Sequence, residues 1–93
     1  MVTVIIKQEV VNFIEWKKVF DNNEDLRKQN QIETIGIYCS VTNPDIVTCI
    51  IQAPSIEVFK NHYFNNPKVI NQVKASVKQK EPSIEYYNSI TEL

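Results

Sequence analysis

Two segments in the middle of the chain alternate apolar and polar residues, the pattern of β-strands with one buried face. They cover residues 34–41 and 47–53, and the turn sequence Asn43-Pro44-Asp45 lies between them. Their apolar faces should meet in one hairpin, because a shift by one residue would turn the apolar side chains to solvent. The pattern predicts these cross-strand pairs: Val41 with Val47, Cys39 with Cys49, and Ile37 with Ile51.

Two other segments have the spacing of amphipathic helices. The first covers residues 13–29, begins after the capping residue Asn12, and is expected to loosen at 21–23. The second begins after Ser55 and breaks near Asn66-Pro67, since Asn caps helices and Pro is favoured at a first helical position. The predicted core-facing residues are Phe13, Trp16, Val19, Phe20 and Leu26 in the first helix, and Ile56, Phe59 and Tyr63 in the second.

Two further strands are predicted near the ends of the chain, at 2–10, which is rich in β-branched residues, and at 83–90, which contains two tyrosines. The order is therefore β-α-β-β-α-β. This is the α+β ferredoxin-like arrangement, a four-stranded antiparallel sheet with helices on one face. A chain of 93 residues, 43% of them hydrophobic, has the size of one such domain, so residues 1–93 are expected to form a single unit.

The sheet face without helices should be polar if it contacts water. It is predicted instead to mix polar and apolar side chains, with Tyr38, Ser40, Thr48 and Ile50 together. This mixture is too apolar for a solvent-exposed sheet and too polar for a dry core, and it is typical of protein interfaces. Homodimerisation through this face is the prediction, and a partly apolar surface on a monomer is the alternative.

The composition disfavours several classes of function. A net charge of −1 argues against nucleic acid and anionic membranes as partners, since both attract concentrated Lys and Arg. The apolar stretches are too short to span a bilayer and the first residues do not resemble a signal peptide, so a cytoplasmic location is expected. The single glycine, Gly36, leaves no glycine-rich phosphate loop, and the single arginine, Arg27, lies far from the first strand–helix turn.

Four features of the sequence together resemble the dimeric α+β barrel superfamily. They are the βαββαβ order, the run Phe13-x-x-Trp16-x-x-x-Phe20-Asp21, the Gln52-Ala53-Pro54-Ser55 join, and the helix broken at Asn65-Asn66-Pro67. Small members of this superfamily include cofactor-free antibiotic biosynthesis monooxygenases, polyketide-type cyclases and stress-responsive barrels. The resemblance implies a homodimer whose sheets form a barrel, and a pocket between sheet and helices in each protomer. It also implies a small planar or polyketide-like ligand that is handled without a cofactor.

His62 is the only histidine, and therefore the only side chain that commonly gains and loses a proton near neutral pH. With Tyr63 it is a candidate for acid–base work at a pocket, and the alternative is a histidine on the surface of a helix. Stress-responsive members of the superfamily have one histidine in the first strand and another after the proline of the broken helix. Here the first strand has none and Lys68 follows Pro67, so their chemistry is not expected.

An aromatic pocket is the second hypothesis about chemistry, and its predicted lining residues are Trp16, Asn23, Phe59, His62 and Tyr63. Superfamily members that oxidise aromatic polyketides use Asn, Trp and Tyr around such a pocket, and Asn61 is a further residue of this type. The alternative is that the aromatic residues only fill the core. Asn23 falls within the apolar stripe of the first helix. Either it is buried and hydrogen-bonded, facing a ligand, or the helix breaks there and Asn23 caps the second part.

The two cysteines are predicted to be reduced, buried thiols, because no secretory signal is evident. A strained disulfide between Cys39 and Cys49, or a zinc site that includes His62, is the alternative, and no metal is expected. The function predicted from the residues and the resemblance is a homodimer that binds a small molecule, as a cofactor-free monooxygenase or a cyclase-like enzyme. A non-catalytic ligand-sensing or assembly module of the same fold is the competing hypothesis.

Overall fold

The structure, a computed structural model, describes residues 1–78, 81–88 and 90. In chain order its elements are β1 (Val2–Glu9), α1 (Phe13–Asn22), α2 (Glu24–Gln29), β2 (Glu33–Cys39), β3 (Ile46–Ala53), a π-helix (Val58–Phe64), α3 (Pro67–Val73) and β4 (Ser83–Asn88). The strands form one antiparallel sheet in the order β2-β3-β1-β4. This confirms the predicted α+β ferredoxin-like fold. Within the predicted last strand, 83–90, residue 89 lies outside the described residues.

The hydrophobic core lies between one face of the sheet and the helices. Alternate residues of the two central strands supply one side of it, including the fully buried Val4 and Ile51. The helices supply Trp16, Phe59 and Val69 from the other side. Full burial of side chains of this size stabilises the fold by about 1.5–3 kcal/mol each. The same alternation leaves the second face of the sheet without a helical cover.

The register of the β2–β3 hairpin differs from the predicted one by two residues. Cys39 pairs with Val47 rather than with Cys49, and Ile37 is the residue opposite Cys49. An alternating pattern determines only which side chains share a face, so registers that differ by two residues match it equally well. The observed register is centred on Asn43 instead of Pro44, since the Ser40 amide donates to the Ile46 carbonyl at 2.9 Å. Within this loop the Asn43 side chain accepts a hydrogen bond from the Asp45 amide at 3.1 Å.

The start of β2 departs from regular alternation as well. The pairing shifts between Thr34 and Gly36, so that Thr34 is opposite Ile51. Ile35 falls at this irregularity and is exposed instead of facing the core. The prediction of two buried thiols is wrong for Cys39, which is exposed at the end of an edge strand, while Cys49 is buried. Both cysteines are free thiols.

Side-chain hydrogen bonds confirm the predicted helix starts after Asn12 and Asn66. The Asn12 side chain accepts a hydrogen bond from the amide of the third helical residue at 3.2 Å, and α1 ends before Asn23. The Asn66 side chain accepts one from the Lys68 amide at 2.9 Å, with Pro67 as the first residue of α3. Short polar side chains therefore determine where these helices start, as expected of N-caps.

The helix after Ser55 is wider than an α-helix. The Asn65 amide donates to the carbonyl of Lys60, five residues earlier, at 2.9 Å, which is the hydrogen bond of a π-helix. The wider turn places Phe64 over Phe59, with ring centroids 5.4 Å apart. Ile56, which α-helical spacing places in the core, is exposed.

Candidate functional site

A cavity of about 690 Å³ lies between the helices and the sheet. Its wall is mainly apolar: Ile6, Cys49 and Ile51 from the sheet, Trp16 and Phe20 from α1, and Val69 and Val73 from α3 are among the lining residues. Polar lining residues include the exposed Asn65, Lys74 and Glu81. An apolar cavity of this size with a few polar groups has the general character of a small-molecule site.

The structure brings three of the five predicted pocket residues to this cavity. Trp16, Asn23 and Tyr63 line it. Phe59 is fully buried beneath the cavity-lining aromatic residues and is not part of the lining. His62 is exposed on the π-helix and does not line the cavity either. The position of His62 therefore gives no support to a proton-transfer role inside the cavity.

The aromatic wall of the cavity follows from the spacing of residues in α1. Trp16 and Phe20 are four residues apart, so they lie one above the other on the same side of the helix. Their rings are stacked with centroids 5.2 Å apart, and the Phe13 ring lies 6.1 Å from the Trp16 ring. The wall is therefore flat and aromatic, and a planar ligand can stack against such a surface.

Asn23 lies at the junction of α1 and α2 and is 1% exposed. Its Nδ2 donates a hydrogen bond to the Val19 carbonyl at 2.9 Å. Within the described part of the chain its Oδ1 has no hydrogen-bond donor. The helix does break here, but the side chain makes no capping bond to α2. An unsatisfied buried acceptor costs about 1–3 kcal/mol, and native structures rarely keep one without a partner such as a ligand or water.

Arg27 is the residue of this region that the sequence analysis missed. It is 4% exposed, and its Nη1 donates to the Phe20 carbonyl at 2.7 Å and to the Tyr63 hydroxyl at 3.0 Å. Its guanidinium carbon lies 3.6 Å from the centroid of the Phe20 ring. Among the residues described, no carboxylate forms an ion pair with it. The available signal was its spacing: Arg27 is seven residues after Phe20 and so lies on the same apolar side.

Two titratable groups line the inner part of the cavity. Burial raises the pKa of the Cys49 thiol from 9.0 to about 11, against the opposing effect of the Arg27 charge. Burial also raises the pKa of the Tyr63 hydroxyl, again against the charge and hydrogen bond of Arg27. Both groups therefore keep their protons at neutral pH. They can donate hydrogen bonds there, but they are not bases.

The residues predicted for a dimer interface lie on the face of the sheet that the helices leave uncovered. Tyr38 is opposite Thr48, and Ile50 is opposite Gly36. Tyr38 is 55% exposed, and its ring covers Gly36 so closely that a Cβ there would lie 2.6 Å from the tyrosine oxygen. Ser40 follows β2 and bonds with the Ile46 carbonyl through its amide at 2.9 Å. Tyr38, Thr48 and Ile50 therefore share one surface, and Ser40 lies at its edge, where its Oγ accepts a hydrogen bond from the Asn43 amide at 3.4 Å. The use of this surface as an interface stays a prediction.

The described residues contain neither a membrane-spanning helix nor a metal-binding cluster. None of the helices there has the length and apolar character that a bilayer crossing requires. The same residues contain no group of three or more His, Cys, Asp or Glu side chains placed to bind a metal ion.

Comparison with solved structures identifies proteins of the same fold. A candidate antibiotic biosynthesis monooxygenase from Caulobacter crescentus superposes with a TM-score of 0.73 at 18% identity, over 97% of this chain and 90% of that one. A second one, from Nitrosomonas europaea, has a TM-score of 0.68 at 12% identity, with 98% and 100% of the two chains covered. SnoaB from Streptomyces nogalater, a cofactor-independent oxygenase, has a TM-score of 0.69 at 11% identity, with 99% and 95% covered.

At the level of sequence, no protein-family profile and no curated protein matches the chain. The structural neighbours are ferredoxin-like proteins with antibiotic biosynthesis monooxygenases among them, so the resemblance expected from the sequence is confirmed at the level of fold. Identities of 10–18% leave the activity to be argued from the site itself.

Proposed function

We propose that the helix–sheet cavity binds a small, planar, largely apolar molecule that carries a polar hydrogen. The observation that carries this proposal is at Asn23: this residue lines an apolar cavity of about 690 Å³, and its buried Oδ1 is an acceptor without a donor among the described residues. The stacked rings of Trp16 and Phe20 supply a flat surface for the ligand. A hydroxyl or N–H group of the ligand supplies the hydrogen bond that Asn23 lacks.

The two cysteines allow occupancy of the cavity to be measured within one chain. Cys49 lines the cavity and Cys39 is exposed outside it. Fluorenol, a planar tricyclic alcohol, is expected to slow alkylation of Cys49 by N-ethylmaleimide and to leave alkylation of Cys39 unchanged, as followed by peptide mass spectrometry. The reaction is run at a pH at which Cys49 of the ligand-free protein is alkylated at a measurable rate, since the thiolate is the reactive form. Equal rates with and without fluorenol under that condition, up to its solubility limit, would contradict the proposal.

A pair of substitutions on α3 tests where the ligand binds. Val69 lines the cavity and Asn71 is exposed on the same helix. Val69→Trp should fill the cavity and abolish fluorenol binding in equilibrium dialysis, while Asn71→Trp should bind as the parent protein does. Thermal unfolding of both variants checks that the fold survives the change.

We propose cofactor-independent oxygenation of the bound molecule as the reaction. Support comes from the fold shared with SnoaB and from the largely apolar wall of the cavity, which would replace part of the water around a bound ring. A dihydroxyanthrone is a suitable probe, since its methylene group reacts with O₂ to give a ketone and one molecule of water. In this reaction the two methylene hydrogens and one oxygen atom form the water, and the other oxygen atom becomes the ketone.

The test of the reaction is consumption of O₂ and appearance of the quinone above the rate without protein. The parent protein and Asn71→Trp should accelerate both, and Val69→Trp should not. Binding without acceleration would instead support a ligand-sensing module. One observation favours that second candidate: the titratable groups Cys49 and Tyr63 inside the cavity both keep their protons at neutral pH, so neither removes a proton from the ligand.

A homodimer that stacks the uncovered sheet faces is part of this proposal. Ile5, Ile50, Tyr38 and Tyr87 place apolar side chains on that face. A small domain gains burial by covering such a surface with a second copy. A cytoplasmic location belongs to the proposal as well, since the exposed, unpaired thiol of Cys39 suits a reducing compartment.

A further inference from the structure

Arg27 determines which way the hydrogen of the Tyr63 hydroxyl can point. A guanidinium has donors and no acceptor, so in the 3.0 Å contact between Arg27 Nη1 and Tyr63 Oη the tyrosine oxygen accepts. The hydroxyl hydrogen is directed elsewhere, and no acceptor for it is found among the described residues. Tyr63 lines the cavity. Its hydroxyl is therefore free to donate to a bound molecule.

Asn23 has a free acceptor where Tyr63 has a free donor, for a similar reason. Its Nδ2 is used by the Val19 carbonyl at 2.9 Å, which identifies Oδ1 as the free atom of the amide. A carbonyl oxygen only accepts. Of the two buried polar residues that line the cavity, Tyr63 thus retains a donor and Asn23 retains an acceptor.

The surroundings of Arg27 explain why its guanidinium keeps this orientation. The group lies on the Phe20 ring at 3.6 Å and donates to the Phe20 carbonyl at 2.7 Å, so α1 holds it on two sides. It is 4% exposed, and no carboxylate among the described residues draws it away from Tyr63. A planar guanidinium held in this way loses little freedom when it donates to the tyrosine.

We infer that Arg27 is a positioning residue that keeps Tyr63 as a donor into the cavity, and that the Tyr63–Asn23 pair selects ligands with a hydroxyl or an adjacent acceptor and donor. The preferred ligand class is a planar ring system with an alcohol, phenol or hydroxy-carbonyl group. This inference rests on the proposed function of the cavity. It adds a specificity rule, which the apolar wall alone does not provide.

Three tricyclic probes of nearly equal shape test the rule: fluorene has no polar group, fluorenone has an acceptor, and fluorenol has both an acceptor and a donor. Affinities are measured by equilibrium dialysis. Tyr63→Phe should lower the affinity of fluorenone relative to fluorene by roughly tenfold, the factor that about 1.4 kcal/mol of hydrogen bonding gives. Asn23→Leu should lower the affinity for fluorenol by a similar factor and leave the affinity for fluorenone unchanged.

The role of Arg27 is tested by the ratio of the affinity for fluorenone to the affinity for fluorene. General damage to the cavity would lower both affinities alike and leave this ratio unchanged. Arg27→Met should lower the fluorenone-to-fluorene ratio, and Arg27→Lys should restore part of it, because an ammonium also donates. The carbonyl stretching band of bound fluorenone provides a second readout. It should lie at lower frequency in the parent protein than in Tyr63→Phe or Arg27→Met.

The outcomes separate this inference from the proposed function. All three probes could bind while the affinity ratios and the carbonyl band stay the same in Tyr63→Phe and Arg27→Met. That result would overturn the inference and leave the cavity function intact. A failure of all three probes to bind the parent protein would contradict the cavity function, and the specificity rule with it.

Discussion

Asn23 lowers the stability of the fold at the position where it lines the cavity. It interrupts the first helical segment, and it leaves Oδ1 buried without a donor among the described residues. Asn30 makes the same local bond, from its Nδ2 to the carbonyl four residues earlier at 2.9 Å, but it does not line the cavity. Substitutions at the two residues can therefore distinguish the stability that the local hydrogen bond contributes from the stability that the unsatisfied acceptor removes.

Replacing each asparagine by leucine should give different results. Asn30→Leu loses a hydrogen bond and should reduce the free energy of unfolding by about 1 kcal/mol, with no effect on fluorenol binding. Asn23→Leu loses a similar bond but also removes the unsatisfied acceptor, so its stability should equal or exceed that of the parent, while fluorenol affinity falls. Urea unfolding and equilibrium dialysis measure the two effects. A loss of stability in Asn23→Leu as large as in Asn30→Leu would argue against a ligand-directed role.

Cys49 links the cavity to the pH dependence of stability. Because burial raises the thiol pKa from 9.0 to about 11, the unfolded chain loses this proton first as the pH rises. The stabilising contribution is complete below pH 9 and is lost as the pH rises through about 11. The raised pKa of Tyr63 acts in the same direction.

The free energy of unfolding should therefore fall between pH 9 and pH 11, by up to about 3 kcal/mol from Cys49. Cys49→Ala should reduce this slope, and Cys39→Ala, which changes an exposed thiol, should preserve it. Urea unfolding across this pH range provides the measurement. An unchanged slope in Cys49→Ala would show that the thiol does not carry the effect.

At the scale of elements, the π-helix connects the core to the cavity. Its wide turn stacks Phe64 on Phe59 and brings Tyr63 within 3.0 Å of Arg27. An α-helix over the same residues would rotate the later side chains relative to the earlier ones, since each turn has fewer residues. The position of Tyr63 thus depends on the type of helix as well as on its place in the sequence.

Deletion of Asn61, an exposed residue within the π-helix, should convert the segment towards α-helical spacing. Tyr63 should then lose its contact with Arg27, and fluorenol binding should fall by roughly tenfold or more. The control is Asn61→Ala, which keeps the length of the segment and should bind normally. Normal binding by the deletion variant would contradict a role for the π-helix in forming the site.

At the scale of the whole molecule, the sheet face that the helices leave uncovered carries exposed aromatic and apolar side chains. Tyr38 and Tyr87 remain about half exposed there, in one continuous surface with Ile50. The close packing of the Tyr38 ring on Gly36 gives this surface a defined shape before any partner binds. A defined, partly apolar surface is what an isologous interface requires.

Sedimentation equilibrium at micromolar concentrations should therefore show a dimer. Ile50→Lys places a charge at the centre of the uncovered face and should yield a monomer, because the charge would be buried without a partner. Val41→Lys, at a fully exposed turn position, should remain dimeric. A parent protein that sediments as a monomer would refute the stacked-sheet proposal.

Local patterns predicted the elements well because their causes are local. The side chains of Asn12 and Asn66 bond to amides two or three residues away, so helix starts can be read from short stretches. The hairpin register and the irregularity at Ile35 were not predictable in this way, since an alternating pattern repeats every two residues and allows several registers. The π-helix was missed because its residues also fit α-helical spacing.

By itself, the sequence determined the order of strands and helices and the face that each presents to the core, because capping and periodicity act over a few residues. Only the tertiary structure decided which of the predicted residues line the cavity and which hydrogen bonds they make. Arg27 and Asn23 are buried because α1 and α2 pack against the π-helix and the sheet, and His62 is exposed because it lies on the outer side of that helix. Helical spacing places Asn23 and Arg27 on the apolar side of their helices, but it does not determine contacts between residues far apart in the chain, such as that of Arg27 with Tyr63.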